Sequence, residues 1–353
     1  WKHCPGMNGF SGSYSHEAGD RFIFKGGVEW LGKYILIDQV GAGTSQNPDY
    51  YGIDQTWYSG GSWSRPVLNA NGGTSIMRIS AAGGPAAWVT VEGIEFTGVV
   101  INTDESYKAN IYLYGLTGDV IFDNIYIHNW DKTSATDGTA SAIYYNPQNH
   151  TGAVILRNSI INNSDGCGSH PGYACGSALW QVDDIINTEV AYASTLILHG
   201  GRTIRDSNLH HALQSYDPTS HANIAYVNGW KGMGDGTPSL IYRNYIHDSD
   251  VQTAVIYACW ASGQVGSNIY YYIYDNLIYN LGTSYPRGCI NFDPDGWNLW
   301  NSTLHAYIYN NTLYCGAGYS SIYLSHRYTG DDANTTLVVR NNHGIVSGGG
   351  ILY

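Results

Sequence analysis

The chain is short of charge, methionine and long apolar runs. Only 12% of its 353 residues are Asp, Glu, Lys or Arg, three are Met, and no apolar stretch approaches the length of a membrane span. The formal charge of -12 and the lack of a basic stripe argue against a nucleic-acid partner, because phosphate binding draws on clustered Lys and Arg. No CxxC pair occurs among the six cysteines, so a zinc site is not expected, and no metal site is assigned. Amphipathic helical runs are also missing.

What is abundant is Gly (44) and Tyr (31), with many Asn, Ser and Thr, a composition of β-structure rather than disorder. One phrase organises it: an apolar residue, two residues, Asn, one residue, an apolar residue. Ile241, Asn244 and Ile246 are the template. Copies lie at Ile121/Asn124/Tyr126, Ile155/Asn158/Ile160, Ile204/Ser207/Leu209, Ile273/Asn276/Ile278, Ile308/Asn311/Leu313 and, decayed, Val338/Asn341/His343.

A second phrase, a small or polar residue before an aliphatic and usually an aromatic, fills the gaps. Its aliphatic members are Ile111, Ile143, Leu179, Ile224, Ile256, Ile290, Ile322 and Ile351, at intervals of 32, 36, 45, 32, 34, 32 and 29 residues. A period in this range signals a solenoid, and three strand-like pieces per period make it a β-coil.

The repeated V/I-x-x-N-x-I/L phrase resembles the coil of right-handed parallel β-helix proteins, the pectin-lyase-like superfamily, over about Ser75 to Tyr353. The resemblance implies an all-β, right-handed parallel β-helix of about eight regular coils. The expected organisation is a loop-rich section with the first strands over 1–75 and one continuous helix over 76–353. The superfamily includes lyases, hydrolases, isomerases, phage spikes and adhesins, so the resemblance carries fold further than function. Its WxDH phrase and its complete NTD, GHG and RIK set do not occur in this chain.

Within a coil the Asn phrase turns a corner that Asn tolerates in the left-handed conformation. Asn124, Asn158, Asn244, Asn276, Asn311 and Asn341 are therefore expected to stack about 4.8 Å apart as a structural ladder. The preceding column, Asp123, Arg157, Asp206, Arg243, Asp275, Asn310 and Arg340, nearly alternates in charge and suggests outer ion pairs that help set register.

Three candidate sites follow. Outward positions of the second phrase carry Tyr112, Tyr144, Trp180, Tyr257 and Tyr323, with Ala225, Asn291 and Leu352 between or after them; the aromatics could hold sugar rings or stack on each other. Acids gather in the following loops at Asp183, Asp184, Asp235 beside Lys231, Asp293 and Asp295, and also at Asp331 and Asp332. A glycosidase would need two carboxyls about 5 to 10 Å apart, and a lyase a base and a cation. Asp183 and Asp293, about 15 Å apart by rung spacing, are too distant to form one pair. His210 and His247 occupy equivalent positions on adjacent coils, with His211 and Asp248 beside them, a set able to relay protons or bind metal.

Cys167 and Cys175 bracket CGSHPGYAC and are expected to form a local disulfide; Cys289 and Cys315 could pair between coils; Cys4 and Cys259 have no evident partner. Asn-x-Ser/Thr sequons occur at Asn149, Asn162, Asn301, Asn310 and Asn334. The chain opens at Trp1, read as a mature or trimmed end. Ser347 to Tyr353 ends on a first-strand phrase, which suggests end-to-end self-association.

The expected function is an extracellular structural or surface β-helix, possible subunit of a filament, without a cofactor. The alternative is a polysaccharide lyase or glycoside hydrolase acting on the aromatic face, with calcium as a possible cofactor for a lyase. No membrane span is expected.

Overall fold

A computed structural model describes residues 2–37, 42–80, 88–102, 108–133, 140–146, 151–166, 176–213, 222–251, 254–258, 267–281, 288–292, 303–315, 321–324 and 335–346. Every strand pairing in its three main sheets is parallel, and the chain divides into two compact units, 1–182 and 183–353. Each unit is a parallel β-solenoid, as the resemblance implies.

In each coil the chain passes through sheet II, turns a tight corner into sheet III, then crosses to sheet I. Unit 1 stacks five such rungs, beginning with Arg21–Phe24, Glu29–Leu31 and Ile35–Leu36. Regular pairing thus already runs through the 1–75 section: Arg21 aligns with Tyr50, Glu29 with Val67 and Ile35 with Met77. The alternation in RFIF accounts for this, since it turns Phe22 and Phe24 into the core. Among the described residues unit 2 holds five three-strand rungs, followed by Thr335–Arg340 and His343–Val346 of a sixth.

Side chains of one type lie in file through each core. In unit 1 the column Ile35, Met77, Ile111, Ile143, Leu179 fills sheet I. In unit 2, Ile185, Ile204, Ile241, Ile273 and Ile308 fill sheet II. Val190, Leu209, Ile246, Ile278 and Leu313 fill sheet III, nearly all without exposed surface. Each such aliphatic contributes about 1.5 to 3 kcal/mol by burial.

The 45-residue interval between Leu179 and Ile224 hides an additional short coil, Asp184–Ile186, Glu189–Ala193 and Thr195–Leu198. Its corner reads Asn187-Thr188, so Thr stands where the repeat phrase has Asn.

The corner separates two roles that the repeat phrase merges. The left-handed residues are Asn124 and Asn158 in unit 1 and Asn187, Asp206, Arg243, Asp275, Asn310 and Asn341 in unit 2, all with φ between 47° and 56°. The buried amide ladder occupies the next position. Asn244, Asn276 and Asn311 each donate to the Oδ1 of the following member, and the last acceptor is Asn342, so Asn341 is the corner residue beside the ladder.

In unit 1 the position after the corner holds Ser159, whose Oγ accepts from Ile125 N at 3.1 Å. The copies at Ile121, Ile155 and Val338 are accordingly offset by one: Phe122, Leu156 and Val339 align with the inward columns. Consecutive apolar residues at these strands leave the two-residue period ambiguous, and Asn suits both an αL corner and an amide ladder.

The charge column is likewise split between two positions. Arg157 Nε meets Asp123 Oδ2 at 2.7 Å at the strand end in unit 1. In unit 2, Arg243 binds Asp206 through Nε and Nη2 at 2.7 and 2.9 Å, one position later.

Cys289 and Cys315, both buried, form a disulfide in unit 2. Cys167 and Cys175 lie outside the described residues, as do Cys259 and the Ser347–Tyr353 segment.

Candidate functional site

The outward aromatics of sheet I are stacked on each other. In unit 1, Tyr112 and Tyr144 have centroids 5.9 Å apart at 20°, and Tyr144 and Trp180 are 5.0 Å apart at 31°. In unit 2, Tyr226 stacks on Tyr257 at 4.9 Å and 15°. Tyr226, rather than Ala225, therefore holds the outward position; Ala225 aligns with inward Ile256, and the consecutive apolar pair Ile224-Ala225 leaves that register open in the sequence. Tyr144 keeps only 5% of its surface, whereas Tyr323 keeps 40%. Asn291, in register between Tyr257 and Tyr323, is fully buried.

A larger array lies on sheet II of unit 2, away from the sheet I strands that carry the second phrase. Tyr242, Tyr274 and Tyr309 stack at 4.8 and 4.9 Å with planes within 6°. Tyr272 stacks on Tyr307 at 4.8 Å, and Tyr270 on His305 at 4.6 Å. The guanidinium of Arg243 lies 4.7 Å from the Tyr242 centroid. The signal was present as Tyr at every second position in NIYYYIY and AYIY.

Stacking decides what these rings can bind. A sugar ring packs on an aromatic face, and a ring between two stacked neighbours has given both faces to them. Binding by stacking is therefore confined to column ends.

Tyr112 of the unit 1 stack also lines a cleft. Arg78 is in register with Tyr112 on the neighbouring strand, on the side opposite Tyr144. A cavity of about 440 Å³ opens there, lined in part by Lys33, Tyr34, Arg78, Lys108 and Tyr112, with no acidic residue among its described lining.

The candidate acids of unit 2 are tied into the fold. Asp183 is 2% exposed, and its Oδ1 accepts the Lys231 backbone N–H at 2.6 Å, which brings the Lys231–Asp235 turn onto it. Asp184 is held by both Nε, at 2.9 Å, and Nη2 of Arg202. Asp235 accepts from the Thr237 N–H at 2.9 Å, and hydrogen bonds from Thr237 keep its carboxyl below the ordinary range. Asp293, Asp295, Asp331 and Asp332 lie outside the described residues.

The histidines do come together on sheet III of unit 2. His210 stacks on His247 at 5.0 Å, and His210 Nδ1 lies 2.6 Å from His211 Nδ1, so one ring donates and the other accepts. Glu189 stands 3.5 Å from His210 Nε2, while His247 holds Asp248 at 2.8 Å and Asn208 at 2.9 Å. Burial, with neighbouring positive imidazoles, pushes the His210 pKa down, and burial first also lowers His211. Tyr192, His211 and Asp248 all adopt positive φ at the end of this sheet.

Unit 1 carries a comparable cluster that sequence reading missed. His128 bridges Glu95 at 3.1 Å and Asp165 at 2.6 Å, under Tyr126 at 4.3 Å. Burial pulls its pKa down, but the bonds to Glu95 and Asp165 outweigh that and leave it raised. Its partners stand 33 and 37 residues away, close to one coil, which is the signal that could have found them. Among the described residues no group of three or more His, Cys, Asp or Glu is placed to hold a metal ion.

No protein-family model matches the chain, and no curated protein matches it. Among solved structures it is similar to the GH136 lacto-N-biosidase of Eubacterium ramulus, at 12% identity and a TM-score of 0.40, over 94% of this chain and 62% of that one. It is also similar to the A-module of the Azotobacter vinelandii mannuronan C-5 epimerase AlgE4, at 13% identity and a TM-score of 0.25, over 81% of this chain and 91% of that one. The chain thus spans about three fifths of the length of the biosidase.

Proposed function

We propose that this chain is an extracellular glycan-binding β-solenoid, which takes saccharide on the outer face of sheet I in unit 1. The observation that carries the reading is the cleft beside the Tyr112–Tyr144–Trp180 stack, which Tyr112 and Tyr34 line together with hydrogen-bonding side chains. A few polar groups around an aromatic wall suit a sugar, which offers hydroxyls at its edge and C–H groups on its face. The buried Cys289–Cys315 disulfide and the low charge support an oxidising, extracellular setting.

Binding is preferred over catalysis because Asp183, Asp184 and Asp235 are engaged by backbone or Arg202. A lyase or hydrolase reading draws instead on the Glu189, His210 and His211 chain, whose linked carboxylate and imidazoles can pass a proton. Filament formation draws on Ser347–Tyr353, outside the described residues.

Affinity electrophoresis through a panel of soluble polysaccharides, with reducing-end assay and light scattering on the same sample, tests the three readings. Retardation by at least one glycan without cleavage, weakened by Tyr112→Ala in a folded protein, is expected. Retardation by none would overturn the binding reading; cleavage would replace it by the enzyme, and length growth without glycan by the filament.

A further inference from the structure

The phenols of Tyr245 and Tyr279 meet on the outer face of sheet III in unit 2. Their oxygens are 2.5 Å apart, at the short limit of an O–H···O bond, while the ring centroids are 5.4 Å apart with planes at 34°. Register explains the convergence. Tyr245 aligns with Leu277 and Tyr279 with His247, so the two tyrosines are diagonal neighbours on adjacent rungs and lean toward each other to touch. His247 packs on both rings, 4.3 Å from Tyr245 and 5.5 Å from Tyr279, and is itself held by Asp248 and Asn208. Tyr245 keeps 40% of its surface and Tyr279 is half-buried, so the meeting point is open to reagents.

We propose that Tyr245 and Tyr279 are a modification site, which forms a dityrosine cross-link when the protein meets a peroxidase-type one-electron oxidant and hydrogen peroxide. The new bond joins one carbon ortho to the hydroxyl on each ring. Each phenol first gives up one electron and its hydroxyl proton and becomes a phenoxyl radical. The two radicals pair at their ortho carbons, and the hydrogen on each of those carbons then moves to the oxygen of its own ring, which restores both phenols. Two electrons and two protons leave in total, and hydrogen peroxide takes them up to give two molecules of water. The hydrogen bond with Tyr245 pushes the Tyr279 pKa up to about 12, so its proton is in place near neutral pH and departs with the electron.

Geometry separates this pair from the tyrosine column of sheet II. An ortho carbon is bonded to the carbon that bears the hydroxyl, so rings that converge at their hydroxyl ends bring those carbons nearer than their centroids. Tyr242, Tyr274 and Tyr309 are parallel within 6° and keep corresponding carbons near their 4.8 and 4.9 Å spacing. The link joins positions 34 residues apart and ties two rungs covalently, a staple in addition to Cys289–Cys315 that restricts the unfolded chain. It needs no glycan and stands apart from the binding reading above.

Treatment of the dilute full chain with a haem peroxidase and hydrogen peroxide tests this. The expected product is a monomer that gains dityrosine fluorescence and loses the mass of two hydrogen atoms. After unfolding, reduction and cleavage at Asp and Arg, the segment Asn244–His247 should be found joined to Asp275–Arg287. Tyr245→Phe and Tyr279→Phe should each abolish the link, whereas Tyr274→Phe keeps it, with circular dichroism confirming that each variant is folded. The linked monomer should unfold at a higher urea concentration than the untreated protein.

Absence of dityrosine under conditions that couple free tyrosine would overturn the proposal, as would links formed only between copies or a link that survives Tyr279→Phe. Equal yield from urea-unfolded protein would overturn the positioning of the pair by its rungs. An unchanged urea midpoint in the linked monomer would overturn the staple.

Discussion

The carboxamide of Asn244 donates to Asn276 Oδ1 at 3.0 Å, and the same oxygen accepts the Asn244 backbone N–H at 3.1 Å. Asn276 repeats the arrangement toward Asn311 at 2.9 and 3.1 Å while also donating to the Ile241 and Tyr274 carbonyls. Each member thus closes polar groups on three coils, and the low-dielectric interior makes any opening costly.

Replacing Asn276 with Ala should therefore destabilise unit 2 strongly. The buried N–H groups of Asn244 and two carbonyls would lose their partner, at about 2 kcal/mol or more in total. Asn158→Gly, at an exposed left-handed corner with φ 52°, should cost less, because glycine accepts that backbone freely. Urea denaturation of both variants is the check; equal losses would show that the ladder adds nothing beyond the corner.

Asp206 should make unit 2 acid-sensitive. Its hydrogen bonds from Arg243, with a further one from Arg205, lower its pKa from 3.8 to about 2. A carboxylate held below its unfolded value contributes stability that is full above pH 3.8 and disappears as pH falls toward 2. Asp206→Asn should flatten melting temperature against pH in that window and leave the slope near neutrality unchanged.

The two imidazole clusters should respond to pH in opposite directions. His128, held above 6.5 by Glu95 and Asp165 against the pull of burial, contributes stability below 6.5 that is lost as pH rises through its raised value. His210 and His211, lowered chiefly by burial, contribute above 6.5 and lose that contribution as pH falls from there through their lowered values. NMR titration of the C–H resonances should place the midpoint of His128 above 6.5 and the other two below. Midpoints in the reverse order would mean that the hydrogen-bond partners are misassigned.

The Cys289–Cys315 bridge closes a separation of 26 residues between side chains that are 0% and 1% exposed. Folded protein should resist mild reductant, since neither sulfur is open to attack by a thiolate. Replacing both with Ala should cost about 3 kcal/mol in the chain-entropy view. Mass spectrometry after alkylation with and without urea checks the first, and calorimetry the second.

The repeat itself was legible because aliphatic columns such as Ile241, Ile273 and Ile308 recur at nearly constant intervals in one chain. Register at Ile155 and Leu156 was not, since both are apolar and only the stacked neighbour decides which faces inward. The coil around Ile185 escaped because Thr188 replaces the amide and its period is short. Of the candidate site, Tyr112 was visible as one member of a stripe. That Tyr144 would be covered, and that Lys33, Arg78 and Lys108 from three separate coils would meet at one cleft, depends on stacking across rungs that no local pattern encodes.

The parallel phenols of Tyr242, Tyr274 and Tyr309, 4.8 and 4.9 Å apart, are near enough for their electronic transitions to couple. The molecule should therefore carry its own optical reporter, an aromatic circular-dichroism signal larger than isolated tyrosines produce. That signal would fade when neighbouring coils part, even while each strand keeps its extended backbone, and would follow the separation of adjacent treads directly.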